Sequence, residues 1–184
     1  MANAHVYVAP GFEEVEMITI VDVLRRADID TTMVALTSSR AVTGAHGITV
    51  QADIGFDAAE GILADALILP GGGPGTAALQ QKAELVPRLH SHLNAGKIVA
   101  ALCAAPTVLA RAGMLSGRKA TCFPGNEEVL REGGATVTAA NVVNDGQVTT
   151  SRGAGTAGLF ALDLVRQLAG EERAREIGRA MLYL

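Results

Sequence analysis

The sequence predicts an α/β fold, a mostly parallel sheet wound with helices on both faces. Three observations carry that expectation. Short β-rich runs alternate with longer segments of helical period along the whole chain. Several of the short runs are apolar at every position, as strands buried on both faces are. The runs end in glycine- and proline-bearing turns that lead into helices, as at Pro10-Gly11 and Pro70-Gly71-Gly72-Gly73.

His5–Ala9 (HVYVA) is the first expected strand, closed by Pro10-Gly11. Glu13–Ala27 reads as a helix, because Val15, Ile18, Val21 and Leu24 recur at helical spacing. Acidic residues open it and Arg25-Arg26 close it, which matches the helix macrodipole. Thr31–Leu36 reads as a second strand, and Ile48–Ala52 alternates like a half-buried one. Ala66–Leu69 is a buried run. Ala77–Asn94 reads as a helix broken near Pro87, since an interior proline removes a backbone hydrogen bond. Gly96 suits its C-terminal cap. Lys97–Leu102 is a further buried strand that runs straight into Cys103. Ala105–Ala112 reads as a helix with Pro106 in its first turn, where a missing N–H is tolerated. Lys119–Cys122 is a short strand and Asn126–Glu132 a short helix. Val142–Asn144 and Gln147–Thr150 flank Asp145-Gly146, a hairpin signal. Thr156–Leu168 and Glu171–Leu182 close the chain as helices. No repeat, linker or low-complexity tract interrupts residues 1–184, so one domain is expected.

Composition narrows the function. Hydrophobic residues make up 49% of the 184 and charged residues 18%, which allows a real core and excludes disorder as the main state. Fifteen basic against nineteen acidic side chains leave a net charge of −4. Neither nucleic-acid binding nor a polybasic membrane patch is expected from that balance. Four Phe, two Tyr and no Trp argue against a stacking platform for sugars or bases. The first residues lack the charge-then-apolar order of a signal peptide, and no run of about 18 apolar residues would span a membrane. A cytoplasmic protein with two reduced thiols, Cys103 and Cys122, is the expectation. Neither cysteine sits in a CxxC or near a histidine at ligand spacing, so no metal is expected. His90 and His92, two apart, point to different sides of a helix.

Ligands in open α/β sheets bind beyond the carboxyl ends of the strands. Three motifs fall there: Gly11-Phe-Glu-Glu-Val-Glu16, Pro70-Gly-Gly-Gly73 and Leu102-Cys103-Ala-Ala-Pro106. Cys103 stands where a strand turns into a helix, the setting of a nucleophile elbow, with small Ala104 and Ala105 beside it. A helix N-terminus would lower the thiol pKa. The alternative is a buried, inert cysteine. The glycines at 71–73 are either a plain turn or a place where backbone N–H groups reach a reacting oxygen. They match neither a phosphate loop nor a dinucleotide fingerprint. Glu13, Glu14 and Glu16 can simply complement the helix dipole on a solvated face. Turned inward towards Cys103, Glu16 would have a raised pKa and could move a proton. Ser151-Arg152-Gly153-Ala154-Gly155-Thr156 is either a capped helix start or a further wall of the pocket, with Arg152 as a cation. A serine triad lacks a convincing elbow, since Ser38, Ser39, Ser91, Ser116 and Ser151 read as loop or surface residues.

Taken together these residues resemble the ThiJ/PfpI superfamily, in the branch of the Parkinson-disease-associated protein deglycase and its small bacterial homologues. The resemblance runs from His5 to about Ala180, through GFEEVE at 11–16, VDVLRRA at 21–27, LILPGG at 67–72, IVAALCAAPTVLA at 98–110 and TSRGAGT at 150–156. It implies a flavodoxin-like three-layer α/β/α sandwich, usually a homodimer, without a cofactor. It implies Cys103 as nucleophile and Glu16 as its partner carboxyl. Gly72 and the Ala104 N–H would form the oxyanion hole, with Gly71 beside them. The activities it implies are glutathione-independent glyoxalase, deglycase, oxidative-stress sensing and chaperone-like behaviour, with peptidases or isocyanide hydratases among relatives. The partners are then small reactive carbonyl substrates or glycated amines.

The chain also departs from that pattern. Phe123, in Thr121-Cys122-Phe123-Pro124, stands where close eukaryotic relatives carry a histidine, which weakens a peptidase or amide-hydrolase reading. His46 falls where relatives often place an arginine near a dimer interface; it either reaches a partner's pocket or is a surface histidine. Ala154 replaces a common proline. Cys122 as a resolving thiol for Cys103 is a remaining option.

Overall fold

The apolar runs assemble into one seven-stranded sheet between two layers of helices. The computed structural model describes residues 1–184. In chain order its elements are β1 (Asn3–Val8), α1 (Glu14–Arg26), β2 (Asp30–Ala35), β3 (Ala41–Thr43), β4 (Thr49–Gln51) and β5 (Ile54–Gly55). A short turn at Asp57–Ala59 precedes β6 (Ala66–Leu69), α2 (Gly73–Gln81), α3 (Leu85–Asn94), β7 (Ile98–Leu102) and α4 (Pro106–Arg111). Then come β8 (Lys119–Ala120), α5 (Glu127–Glu132), β9 (Thr136–Val137), β10 (Val142–Asp145) and β11 (Val148–Ser151). A second short turn at Ala154–Thr156 leads into α6 (Ala157–Ala169), and α7 (Glu171–Ala180) follows.

The strand order is β10-β11-β7-β6-β1-β2-β5. Every neighbouring pair is parallel except the edge hairpin β10-β11. Period-two alternation sorts the side chains. Ala4, Val6 and Val8 of β1 enter one core with α1, α6 and α7, while Tyr7 enters the other with α3, α4 and α5. The all-apolar β6 and β7 feed both cores, which is why they read as continuous runs. The three-layer α/β/α sandwich with a mostly parallel sheet is therefore as expected.

The differences have physical reasons. The helix at 77–94 divides between Gln81 and Leu85, where Lys82 is extended, and not at Pro87. Pro87 falls in the first turn of α3, where no backbone donor is needed. On α1 the buried stripe is Met17, Ile20, Val21, Val23 and Leu24, while Val15 and Ile18 face outward. β3, β5 and β9 arise from pairings too short to leave a sequence period, while β4 and β8 fall within the strands expected at Ile48–Ala52 and Lys119–Cys122. Ser151 is buried within β11, not at the surface. No helix is long and apolar enough to cross a membrane.

Candidate active site

After β1 the sheet grows towards β2, and the chain then returns to lay β6 on the other side of β1. That reversal opens a crevice at the carboxyl ends of β1, β6 and β7. The segments that follow those strands are tied together there. Glu13 N–H donates to the Gly71 carbonyl at 3.0 Å, and Gly75 N–H to the Gly11 carbonyl at 3.0 Å.

Cys103 occupies the turn after β7 with φ +62°, left-handed backbone that a non-glycine residue adopts only when its surroundings hold it. Two bonds do so: its N–H donates to the Ser151 carbonyl at 3.0 Å, and its carbonyl accepts from Phe123 N–H at 2.8 Å. The expected elbow is thus present, and Pro106 opens α4 as the sequence suggests.

Glu16 reaches the same point from α1. It is fully buried, and its Oε2 accepts from Gly71 N–H at 2.8 Å. Its Oε1 has no hydrogen-bond partner. Glu13 steadies the turn beneath it, accepting from Glu16 N–H at 2.7 Å as the helix cap. The capping role of Glu13 escaped the sequence reading because glutamate is an uncommon cap. Gly71 is small for a reason: a Cβ there would lie 2.5 Å from Cys103 Cβ and 2.7 Å from Glu16 Oε2. Gly72 adopts φ +94°, and a side chain there would collide with the Gly11 carbonyl.

Charge follows from this packing. Burial pushes the Glu16 carboxyl up to about 7, against the pull of the Gly71 N–H and of Cys103. Burial, and then the negative charge of Glu16, push the Cys103 thiol up to about 12. The N–H groups of Gly72 and Ala104 pull the other way. This corrects the expectation of a thiol lowered by a helix N-terminus. α4 is short and starts beyond Cys103, so desolvation and the neighbouring carboxylate outweigh it. At neutral pH the thiol and carboxyl hold at least one proton between them. Once Glu16 is protonated, its charge no longer opposes the thiolate.

Other predicted residues divide. Phe123 and Gly153 do meet beside Glu16: a Cβ on Gly153 would lie 3.3 Å from Phe123 Cδ2 and 3.8 Å from Glu16 Oε1. Arg152 is partly exposed and its charge reaches Glu127 and Cys122. Ala154 is exposed at the turn before α6. Gly71 N–H is taken by Glu16, which leaves the N–H groups of Gly72 and Ala104 to act on the sulfur. His46 is not brought to Cys103. Glu14 holds it instead, accepting from its N–H at 2.7 Å and bonding its exposed ring Nδ1 at 2.8 Å. Glu14 itself is buried, not on a solvated face. Glu13, Glu14 and His46 offer ligand atoms within 4.8 Å of one another. Those atoms already serve the α1 cap and the β3-β4 hairpin. Both cysteines are free. Cys103 packs against the core on the α1 side and Cys122 lies in the core on the α4 side, which disfavours a bond between them. The Ser151 hydroxyl is committed to the Asn141 carbonyl and Thr156, each at 2.7 Å.

Shape alone points elsewhere, to a surface groove lined by Phe56, Arg88 and His92 on the α3 face. Only the crevice at Cys103 combines a strained nucleophile position, a buried carboxyl and convergent N–H donors.

The chain is similar to known proteins over nearly its whole length. The model of the DJ-1/PfpI family matches residues 2–167. Protein dj-1beta of Drosophila melanogaster is 38% identical over 98% of this chain and 96% of its own length. Its crystal structure superposes with a TM-score of 0.95 at 37% identity, covering 98% of this chain and 97% of that one. The glutathione-independent glyoxalase DJR-1.2 of Caenorhabditis elegans is 33% identical over 90% of this chain and 87% of its own. A deglycase of Pyrococcus abyssi is 36% identical over 78% of this chain and 86% of its own.

Proposed function

This chain belongs to the DJ-1/PfpI family, and from that premise we propose that it detoxifies reactive 2-oxoaldehydes such as methylglyoxal through Cys103, without a cofactor. One observation carries the reading. Glu16 is a fully buried carboxyl, held by Gly71 N–H at 2.8 Å at the point where Gly71 packs against Cys103, and burial pushes it up to about 7. A group that titrates at working pH is suited to give and take a proton within one cycle. Names among the relatives, glyoxalase and deglycase, support the same substrate class.

Sγ adds to the aldehyde carbon while its proton passes to the Glu16 carboxylate. The carbonyl electron pair moves to oxygen, held by the N–H groups of Gly72 and Ala104, and the proton follows it. Glu16 then removes the hydrogen left on that carbon and returns it to the neighbouring carbonyl carbon, while the hydroxyl proton passes from the first oxygen to the second. The first carbon is oxidised, the second reduced, and the product is a thioester of a 2-hydroxy acid. Water cleaves the thioester and restores the thiol. On a glycated amine the same attack would expel the amine, the deglycase form of the reaction.

Production of hydroxy acid from methylglyoxal, with glutathione absent, tests this in the wild type, Cys103→Ala and Glu16→Gln. Turnover by the wild type alone is expected. Turnover that survives Cys103→Ala would sink the mechanism. A second reading, redox sensing, draws on the same donors, since two N–H groups and a protonated Glu16 would hold a sulfinate on Cys103. Intact mass after mild peroxide separates it: two oxygens gained on Cys103 alone favour sensing, and scattered oxidation counts against it. No imidazole is among the groups acting on Sγ, so the peptidase reading lacks its base.

The family premise also carries a homodimer, supported by one apolar surface. Val15 (55% exposed) and Ile18 (48%) face outward on α1, and Glu14 ties the hairpin carrying Ile48 (56%) beside them. Two free thiols accord with a cytoplasmic setting.

A further inference from the structure

Phe123 is an aromatic residue tied through its backbone to Cys103, with its side chain left half uncovered, 50% exposed. Its backbone is held on both sides. Phe123 N–H donates to the Cys103 carbonyl at 2.8 Å, and its own carbonyl accepts from Asn126 N–H at 3.2 Å and Asn126 Nδ2 at 3.3 Å. The ring rests against Gly153, where a Cβ would lie 3.3 Å from Cδ2 and 3.9 Å from Cε2. The absent side chain at Gly153 leaves that ring edge open towards Glu16, whose unpartnered Oε1 lies on the same side of Gly153. An isolated exposed phenylalanine on a surface needs no explanation. This one is hydrogen-bonded through its backbone to Cys103, and its ring borders Gly153 where Glu16 Oε1 also lies.

We propose that Phe123 is a specificity-determining wall, which selects electrophiles carrying an aryl or branched alkyl group next to the carbon that Cys103 attacks. The substrate class narrows accordingly. It rests on the glyoxalase reading above, and within it aryl and branched 2-oxoaldehydes are preferred over glyoxal. Apolar contact with a fixed ring brings the substituent against the protein and the reacting carbon over Sγ. A hydrogen in place of that substituent gains nothing from the wall. Discrimination of about ten-fold or more is the ordinary scale for one apolar contact of this size.

The test has two arms. The first needs no turnover: alkylation of Cys103 by iodoacetamide and by its N-phenyl derivative, followed by intact mass, with Cys103→Ala marking any signal from Cys122. The rate ratio, N-phenyl over parent, is expected to fall about ten-fold in Phe123→Ala and to stay near the wild-type value in Phe123→Leu. Both variants keep the backbone bond to Cys103, and circular dichroism checks their fold. An unchanged ratio in Phe123→Ala overturns the proposal. The second arm is kcat/KM for phenylglyoxal against glyoxal, where the same ten-fold loss of preference is expected. If the alkylation ratio falls but no Cys103-dependent turnover exists, the wall stands and the glyoxalase reading fails. If turnover exists and neither ratio moves, the wall fails and the reading stands.

Discussion

Replacing Glu16 by glutamine should make the protein more stable above neutral pH, and the size of the gain follows from the burial of that carboxyl. The group is fully buried and its value rises from 4.5 to about 7 on folding, chiefly by desolvation. At about 1.4 kcal/mol for each pH unit, the native state disfavours the ionised carboxyl by about 3 kcal/mol. The sign is that of an acid whose folded value lies above its unfolded one. Below 4.5 both states are protonated and the carboxyl's contribution is complete. Between 4.5 and about 7 the unfolded chain loses its proton while the native state keeps it, so stability drains away. Above about 7 the loss is complete. Glutamine does not titrate, and its amide oxygen can still accept from Gly71 N–H. Urea unfolding of both proteins from pH 5 to pH 9 gives the difference between them, in which every other titrating group cancels to first order. The variant should gain on the wild type as pH rises, up to about 3 kcal/mol, with the change centred between pH 4.5 and about 7. A difference that stays flat with pH would refute the buried, elevated carboxyl and with it the proton carrier assigned to Glu16.

Gly71→Ala places a methyl group 2.5 Å from Cys103 Cβ and 2.7 Å from Glu16 Oε2. Overpacking of this kind costs about 1–3 kcal/mol, so a modest fall in Tm should accompany a large fall in Cys103 alkylation rate. His5 and His92 are buried on the α3 face, each with one unpartnered ring nitrogen, and burial holds both below the ordinary histidine value. Their neutral forms support the fold above pH 6.5, and that support is lost as pH falls below it, because the unfolded chain then binds protons that the native state resists. Measured against a His5→Gln, His92→Gln double variant, in which the opposing gain from Glu16 is shared and cancels, the wild-type urea midpoint should therefore fall between pH 7 and pH 5. A difference between the two proteins that does not change with pH would count against the assignment.

The family membership, the alternation of elements and the turn at Cys103 were legible along the chain. They depend on local facts: apolar runs of strand length, glycines where backbone must turn, and a cysteine at the junction between Leu102 and Pro106. The elbow at Cys103 followed from that junction alone. The chain could not reveal which side of α1 is buried, because Val15 and Ile18 fit the helical period as well as Met17 and Ile20 do. Nor could it reveal the split near Lys82, since Pro87 is a breaker only inside a helix, and where α3 begins is decided by packing of Leu85 and Leu89. The short strands β3, β5 and β9 exist through their partners.

The site's electrostatics belong to the tertiary structure for the same reason. Glu16 and Gly71 are 55 residues apart in the chain and 2.8 Å apart in space. Sequence reasoning named both, yet it read the thiol as lowered, by a local rule about helix ends. Sequence determines which groups can ionise and roughly where they stand. How far each is lifted from water, and which charge ends up beside it, is a sum over distant residues that only the fold brings together.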